Sequence, residues 1–164
     1  MIGFPKIRLL PTCLIVSILV TACGNNNKQI IEDHFNALNR HNVKLLVKNY
    51  DPDVEVTSSG WAGIHNGTRE MMFDYARYFH ETPDLKYDIA NAYFSGDSIV
   101  TVEYTTSGTV TNTEKNTPLA IIGKKYILNN CTIFTIRNSR IVKEATYFDQ
   151  FAFLKQMGLF DQQQ

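Results

Sequence analysis

Apolar residues recur at helical spacing along the first part of the chain. Ile31, Phe35 and Leu38 stand at positions i, i+4 and i+7, as they do on one face of an α-helix. The run Asp51-Pro52-Asp53 is a strong helix stop, and Glu70 suits a first turn because the helix dipole favours an anion there. The pattern predicts three helices, at residues 28–40, 43–50 and 68–81.

The pattern changes to alternation in the second half of the chain. Two tight-turn signals, Ser95-Gly96-Asp97 and Asn138-Ser139, each separate two alternating runs and predict hairpins. The predicted strands are residues 54–57, 85–94, 98–111, 124–137 and 140–148, with no helix between 85 and 148. A last amphipathic segment predicts a short helix at 151–159. Helices followed by a strand meander indicate an α+β domain, with helices packed on one face of a curved, mostly antiparallel sheet.

The first 22 residues have the three parts of a secretory signal. Lys6 and Arg8 precede an apolar run at residues 9–20, which small or medium-sized residues follow. The run is shorter than the ~17–25 residues that cross a membrane as a helix, so removal of this segment is expected. Val20-Thr21-Ala22-Cys23 resembles the lipobox of bacterial lipoproteins, which implies a lipid on Cys23. An ordinary signal with a chance cysteine is the alternative.

The lipobox resemblance divides the precursor into three parts. They are a signal at 1–22, a lipidated Cys23 with a polar tether to residue 27, and one domain at 28–160. The tether contains no residue that we expect to pack against the domain. Two or more acyl chains hold a protein firmly on a bilayer. We therefore expect an extracytoplasmic protein anchored to a bacterial membrane.

Charge and cysteine content narrow the range of partners. The chain has 16 basic and 16 acidic residues, and without Lys6 and Arg8 the balance is 14 against 16, which indicates no nucleic-acid surface. After the signal and Cys23, Cys131 stands alone, so an intramolecular disulfide is excluded and a buried position within a strand is expected. The chain has four histidines: His34, His41, His65 and His80. They lack metal-binding spacing, so neither a metal nor a cofactor is expected.

Four segments carry a family pattern across the predicted domain. They are Tyr50-Asp51-Pro52-Asp53-Val54; Gly67-Thr68-Arg69-Glu70 with Pro83-Asp84-Leu85; Tyr104-Thr105-Thr106-Ser107-Gly108-Thr109; and Ile141, Glu144, Tyr147 and Asp149, followed by Leu154, Gln156, Met157 and Gly158. In this order they resemble the SnoaL-like polyketide cyclase family, within the superfamily of nuclear transport factor 2 and ketosteroid isomerase. The resemblance implies a cone-shaped α+β barrel that encloses a cavity.

The resemblance also implies catalytic positions, which this chain fills only in part. In the cyclases the aspartate that ends the last strand is an acid/base, and Asp149 matches it; a helix N-cap is the alternative role. Val110 occupies the position of the cyclase histidine that partners this aspartate. In the isomerase branch, His34 stands at the position of an oxyanion-stabilising tyrosine, whereas the position of the general-base aspartate is occupied by Thr57, which is not a base. A core histidine bonded to backbone is the alternative for His34.

Strand alternation and the family fold together predict a mostly apolar pocket. Its predicted lining residues are Trp61, Met72, Tyr75, Phe79, Tyr104, Thr106, Val110 and Tyr147. Such a lining suits a small, flat, largely apolar ligand, although the same side chains could instead fill the core. We expect a domain that binds such a ligand, and residual acid/base chemistry at Asp149 is a further possibility. The alternatives are a non-catalytic module that dimerises or binds a partner through the convex sheet face, and a cyclase or isomerase.

Overall fold

The computed structural model describes residues 22–60, 62–113 and 118–159, with side chains from residue 26 onward. The predicted signal, apart from Ala22, and the predicted pocket residue Trp61 lie outside the described residues. The helices are α1 (Ala22–Asn39), α2 (Val43–Leu46), α3 (Gly67–Glu81) and α4 (Gln150–Gln156), with short 3-10 turns at Val47–Asn49 and Leu119–Ile121. The strands are β1 (Tyr50–Ser58), β2 (His65–Asn66), β3 (Lys86–Ser95), β4 (Ile99–Thr109), β5 (Lys125–Arg137) and β6 (Arg140–Phe148).

The predicted α+β fold is confirmed. The strands form one six-stranded sheet in the order β2-β1-β6-β5-β4-β3. Neighbouring strands run antiparallel except β1 and β6, which run parallel. Helix α1 contacts β3 and α3 contacts β1, and a buried apolar core joins these helices to the sheet. The sheet does not close into a barrel, because β2 and β3 remain as its two edges.

The helix predicted at residues 43–50 ends as α2 at Leu46 and continues as a 3-10 turn to Asn49, and the strand predicted at 54–57 begins at Tyr50.

Three more local expectations differ from the structure. Helix α1 begins at Ala22, so the expected tether is helical. Its last two residues contact the domain, because Asn26 Nδ2 donates to Ser139 Oγ at 2.7 Å and Asn27 Nδ2 donates to the carbonyl of Asp97 at 3.0 Å. The expectation of no helix between residues 85 and 148 is wrong for the 3-10 turn at Leu119–Ile121. Cys131 lies in β5 but is half-buried rather than buried.

Two segments of the family pattern hold each other in place where β4 ends. The carboxylate of Asp84 accepts hydrogen bonds from the backbone N–H of Thr109 at 2.7 Å and from its hydroxyl at 2.8 Å. The backbone hydrogen bond of Thr109 is the main reason that the pKa of Asp84 is lowered. A Cβ added to Gly108 would lie 2.3 Å from Thr82 Cγ2, so the close approach of the two segments requires glycine here. These motif residues therefore serve the fold.

Candidate functional site

A cavity of about 340 Å³ lies between α3, α4 and the inner face of the sheet. Most of its wall is aromatic or aliphatic, and the apolar lining includes Tyr75, Tyr78, Leu85, Tyr87, Tyr104, Tyr126, Leu128, Phe148 and Phe153. Polar side chains also line the same space: Thr57, Ser58, Arg77, Glu81, Thr82, Thr106, Asn130, Glu144, Thr146 and Gln150. Ligand sites in proteins commonly have this size and this mixture of apolar walls with a few polar groups.

Glu144 is the buried acidic group of this cavity. It is only 2% exposed, and its carboxylate accepts hydrogen bonds from the hydroxyls of Tyr50 and Tyr75, the latter at 2.8 Å. Burial raises the pKa of Glu144, while its tyrosine partners oppose that shift. Burial and the charge of Glu144 also raise the pKa values of Tyr50 and Tyr75, so both phenols keep their protons and act as donors. Glu144 can therefore take up or release a proton inside an apolar cavity.

His34 reaches this carboxylate only through Tyr50. It is 1% exposed, packs edge-on against Phe35 and Phe134 at ring distances of 5.0 and 5.1 Å, and its Nδ1 lies 3.0 Å from the Tyr50 hydroxyl. Burial lowers the pKa of His34 to about 3, so the ring is neutral. Because Tyr50 donates its proton to Glu144, its oxygen must accept from His34, which places the single ring proton on Nδ1.

Hydroxyl groups of the sheet extend the network from Glu144. Thr146 donates to Glu144 Oε1 at 3.4 Å, and its Oγ1 lies 2.8 Å from that of Thr132. Thr132 in turn lies 3.0 Å from the hydroxyl of Tyr104. Since Thr146 gives its one proton to Glu144, it accepts from Thr132, and Thr132 accepts from Tyr104. The donors thus all orient toward the carboxylate, which stabilises its charged form against desolvation.

A bulge in β6 decides which residues face the cavity. Thr135 pairs with Lys143 and Ile136 pairs with Ile141, so one residue of β6, Val142, has no partner. Alternation from the buried Ile141 would turn residues 143, 145 and 147 inward. The extra residue reverses that alternation, and Glu144 faces the core together with Ile141. Strict alternation along β6 therefore does not identify Glu144 as a site residue, although Glu144 belongs to the family pattern.

The predicted pocket residues separate into four groups. Tyr75, Tyr104, Thr106 and Val110 line the cavity. Met72 and Phe79 are half-buried on α3 and are not among the lining residues. Phe79 instead stacks on His41 at a ring distance of 4.5 Å. The prediction for Tyr147 is wrong: the β6 bulge turns it to the outer face, where it is 55% exposed. Trp61 lies outside the described residues.

The predicted catalytic residues do not meet in the cavity. Asp149 is exposed and caps α4, because its Oδ1 accepts from the backbone N–H of Ala152 at 2.9 Å. The structure therefore agrees with the N-cap alternative. Val110 packs with Ile121 and Met157 in a small apolar cluster. The alternative for His34 as a core residue also agrees, although its partner is the hydroxyl of Tyr50 rather than backbone. Thr57, at the position of the isomerase base, lines the cavity.

Comparisons with known proteins agree with this fold. The candidate SnoaL-like polyketide cyclase from Jannaschia sp. CCS1 matches with a TM-score of 0.72 and 14% identity, over 81% of this chain and 92% of that chain. IdmH, a candidate polyketide cyclase from Streptomyces antibioticus, matches with a TM-score of 0.68 and 19% identity, over 80% and 97%. A protein with a ketosteroid isomerase-like fold from Catenulispora acidiphila, in complex with trimethylamine, matches with a TM-score of 0.66 and 19% identity. The match covers 79% of this chain and 92% of that chain.

The family comparison covers nearly all of the domain. A comparison with curated proteins found no match. The model of the SnoaL-like polyketide cyclase family matches residues 28–157, from α1 to the end of α4. Because this match spans every described strand and the cavity between them, the chain belongs to the SnoaL-like polyketide cyclase family.

Proposed function

We propose that this protein is a membrane-anchored, extracytoplasmic domain that binds a small, largely apolar molecule in the cavity, with Glu144 as the proton-exchanging group. The observation that carries this proposal is the 340 Å³ cavity with a buried carboxyl group in an aromatic wall. Transfer of apolar ligand surface into such a cavity is favourable by about 25 cal/mol per Å². The buried carboxyl group then orients the bound ligand, because a buried polar group without a hydrogen-bond partner is costly.

Binding is better supported than a complete cyclase or isomerase reaction. By the family resemblance, the cyclase reaction uses an aspartate with a histidine partner, and the isomerase reaction uses a general base with an oxyanion-stabilising donor. Val110 replaces the cyclase histidine, and Asp149 is engaged as an N-cap. Glu144 offers one acid/base group with phenol donors beside it, which suffices for single proton exchanges at a bound ligand. Residual acid/base chemistry is therefore assigned to Glu144 rather than to Asp149.

The test is a cavity-filling substitution with a matched control on the same strand. Leu128 lines the cavity, whereas its neighbour Ile127 is exposed on the outer face. Leu128→Trp should weaken binding of an uncharged aromatic probe, 1-naphthol, by at least tenfold in a fluorescence titration of the purified protein. Ile127→Trp should leave the dissociation constant unchanged. Equal affinity in the two variants would show that the probe does not enter the cavity.

Anchoring is tested at the cysteines. The proposal is supported by the signal-like segment and the lipobox-like Val20-Thr21-Ala22-Cys23. Labelled palmitate should enter the wild type and Cys131→Ala but not Cys23→Ala. Since Asn26 and Asn27 are bonded to the two hairpin turns, a lipid on Cys23 would hold that end of the domain close to the bilayer. Incorporation of label into Cys23→Ala would exclude this anchor.

A second candidate function, self-association through the outer sheet face, is favoured by exposed apolar side chains there. Ile127 is 64% exposed, and Tyr93, Ile133 and Tyr147 are also exposed on neighbouring strands. Exposed apolar side chains that share one face of a sheet are typical of interaction sites. Sedimentation of the detergent-solubilised protein should then show a dimer that Ile133→Lys dissociates. Phe73→Lys, at a residue that is 73% exposed on α3, should have no effect on the dimer.

A further inference from the structure

Two polar side chains on the sheet wall of the cavity are fixed to one another. Thr106 of β4 and Asn130 of β5 line the cavity and are each 8% exposed. Asn130 Nδ2 donates to Thr106 Oγ1 at 3.0 Å and to the carbonyl of Leu128 at 2.9 Å. Both amide protons are thus used within the protein. The reversed amide would set Oδ1 against the Leu128 carbonyl, two acceptors facing each other, so the orientation of the amide is determined.

This arrangement leaves one acceptor and one donor for a ligand. Within the described residues, Asn130 Oδ1 receives no hydrogen bond, and the hydroxyl proton of Thr106 has no acceptor. Every fully enclosed side-chain nitrogen or oxygen among those residues does have a partner. The unused Oδ1 is therefore accessible, and since the amide of Asn130 lies between Thr106 and Leu128 on the cavity wall, the accessible space is the cavity. A ligand that enters the cavity excludes water from this acceptor, and a ligand without a matching donor would leave it unpaired at a cost in free energy.

We infer that Thr106 and Asn130 form a subsite for an uncharged ligand group that carries an N–H donor beside a carbonyl acceptor, such as a primary carboxamide or a lactam. The Thr106 hydroxyl donates to the ligand carbonyl, and Asn130 Oδ1 accepts from the ligand N–H. The inference rests on the proposed cavity binding and adds the class of ligand. A charged carboxylate is disfavoured here, because it would oppose Asn130 Oδ1 and lie in the cavity that holds Glu144.

The test compares two nearly isosteric probes, benzamide and acetophenone, by NMR titration of the purified protein. Both carry a carbonyl group on a phenyl ring, but benzamide has an NH2 group where acetophenone has a methyl group. Only benzamide can therefore donate a hydrogen bond to Asn130. Asn130→Leu should lower the preference for benzamide over acetophenone by roughly tenfold, the expected effect of one buried hydrogen bond. Thr106→Val should weaken both probes without changing that preference. The matched controls are Thr105→Val and Asn129→Leu, which alter a similar pair on the outer face and should change neither affinity.

The outcomes separate this inference from the proposal on which it rests. Suppose that both probes bind in the cavity and that the ratio of their dissociation constants is the same in Asn130→Leu as in Asn129→Leu. The subsite is then wrong, and cavity binding stands. If neither probe shifts resonances of the cavity residues, both are wrong. The wild type provides a test that does not depend on folding of a variant: benzamide should shift the Asn130 Cγ resonance, and acetophenone should not. Equal shifts with the two probes would overturn the subsite.

Discussion

Tyr75 donates a hydrogen bond of 2.8 Å to Glu144 Oε1, and this contact joins the buried face of α3 to β6 at the wall of the cavity. Tyr50, at the start of β1, donates to the other carboxylate oxygen. Two phenols from different elements thus hold one carboxyl group in a fixed orientation. Since hydrogen bonds to a charged group are stronger than neutral ones, this cluster stabilises the fold and sets the proton affinity of Glu144.

Tyr75→Phe should lower the free energy of unfolding by about 1.5–3 kcal/mol, because a buried carboxyl group loses one of its donors. The pKa of Glu144 should rise further for the same reason. Urea unfolding at constant pH measures the first effect. Tyr93→Phe is the control: Tyr93 donates to Glu103 at 3.2 Å on the exposed surface, where such a change costs within about 0.5 kcal/mol. Similar losses in the two variants would contradict the assigned network.

Stability should depend on pH through Glu144. Burial raises the pKa of this group above its usual value of 4.5, so the folded state keeps the proton to higher pH than the unfolded chain does. The stabilising contribution is complete below pH 4.5 and is lost as the pH rises through the folded-state pKa. Glu144→Gln should remove this loss, so its stability relative to wild type should increase with pH. Glu103→Gln, on the outer face, is the control, and identical pH profiles of all three proteins would exclude the effect.

His34 should act with the opposite sign. Burial lowers the pKa of His34 from 6.5 to about 3, so the folded state resists protonation that the unfolded chain accepts. Its contribution is complete above pH 6.5 and is lost as the pH falls toward 3, at up to ~1.4 kcal/mol for each pKa unit. His34→Gln should lose less stability on acidification than wild type. The exposed His80 provides the control variant His80→Gln, which should retain the wild-type acid sensitivity.

Asp149→Ala should lower the free energy of unfolding by ~1 kcal/mol, whereas Asp149→Asn should cost little, because asparagine is also a good N-cap. The contact that predicts this is the hydrogen bond from the Ala152 N–H to Asp149 at 2.9 Å. Ligand affinity should remain unchanged in both variants. A loss of probe binding in Asp149→Asn with normal stability would return Asp149 to the site.

Gly108→Ala should be destabilising by ~1–3 kcal/mol, since the added carbon would overlap Thr82 and force the β4 terminus away from the segment after α3. Ser107→Ala, at the preceding position, lacks that clash and serves as the control. Thermal unfolding of the two variants measures the difference. A Gly108→Ala variant as stable as Ser107→Ala would show that the two segments are less closely packed than described.

The linear sequence was sufficient for most of the elements and for the class of fold. Hydrophobic periodicity is a local property of the chain, because it depends only on residues that are close in sequence. It therefore predicted the bounds of α3, β4, β5 and β6 to within about two residues. The parallel pairing of β1 with β6 could not be predicted in the same way. It joins strands that are distant in the chain, and no local pattern records which distant strand becomes a neighbour.

The candidate site was determined by tertiary structure. Asp149 could be recognised as a possible cap because capping depends on residues three apart in sequence. Glu144 required the bulge at Val142, which reverses the side-chain alternation of β6, and it required Tyr50 and Tyr75 from other elements. Its proton affinity follows from burial and from those donors. The sequence by itself determined the family and most of the helices and strands. Only the folded chain decided which carboxyl group faces the cavity, because desolvation and donor geometry exist only after distant segments pack together.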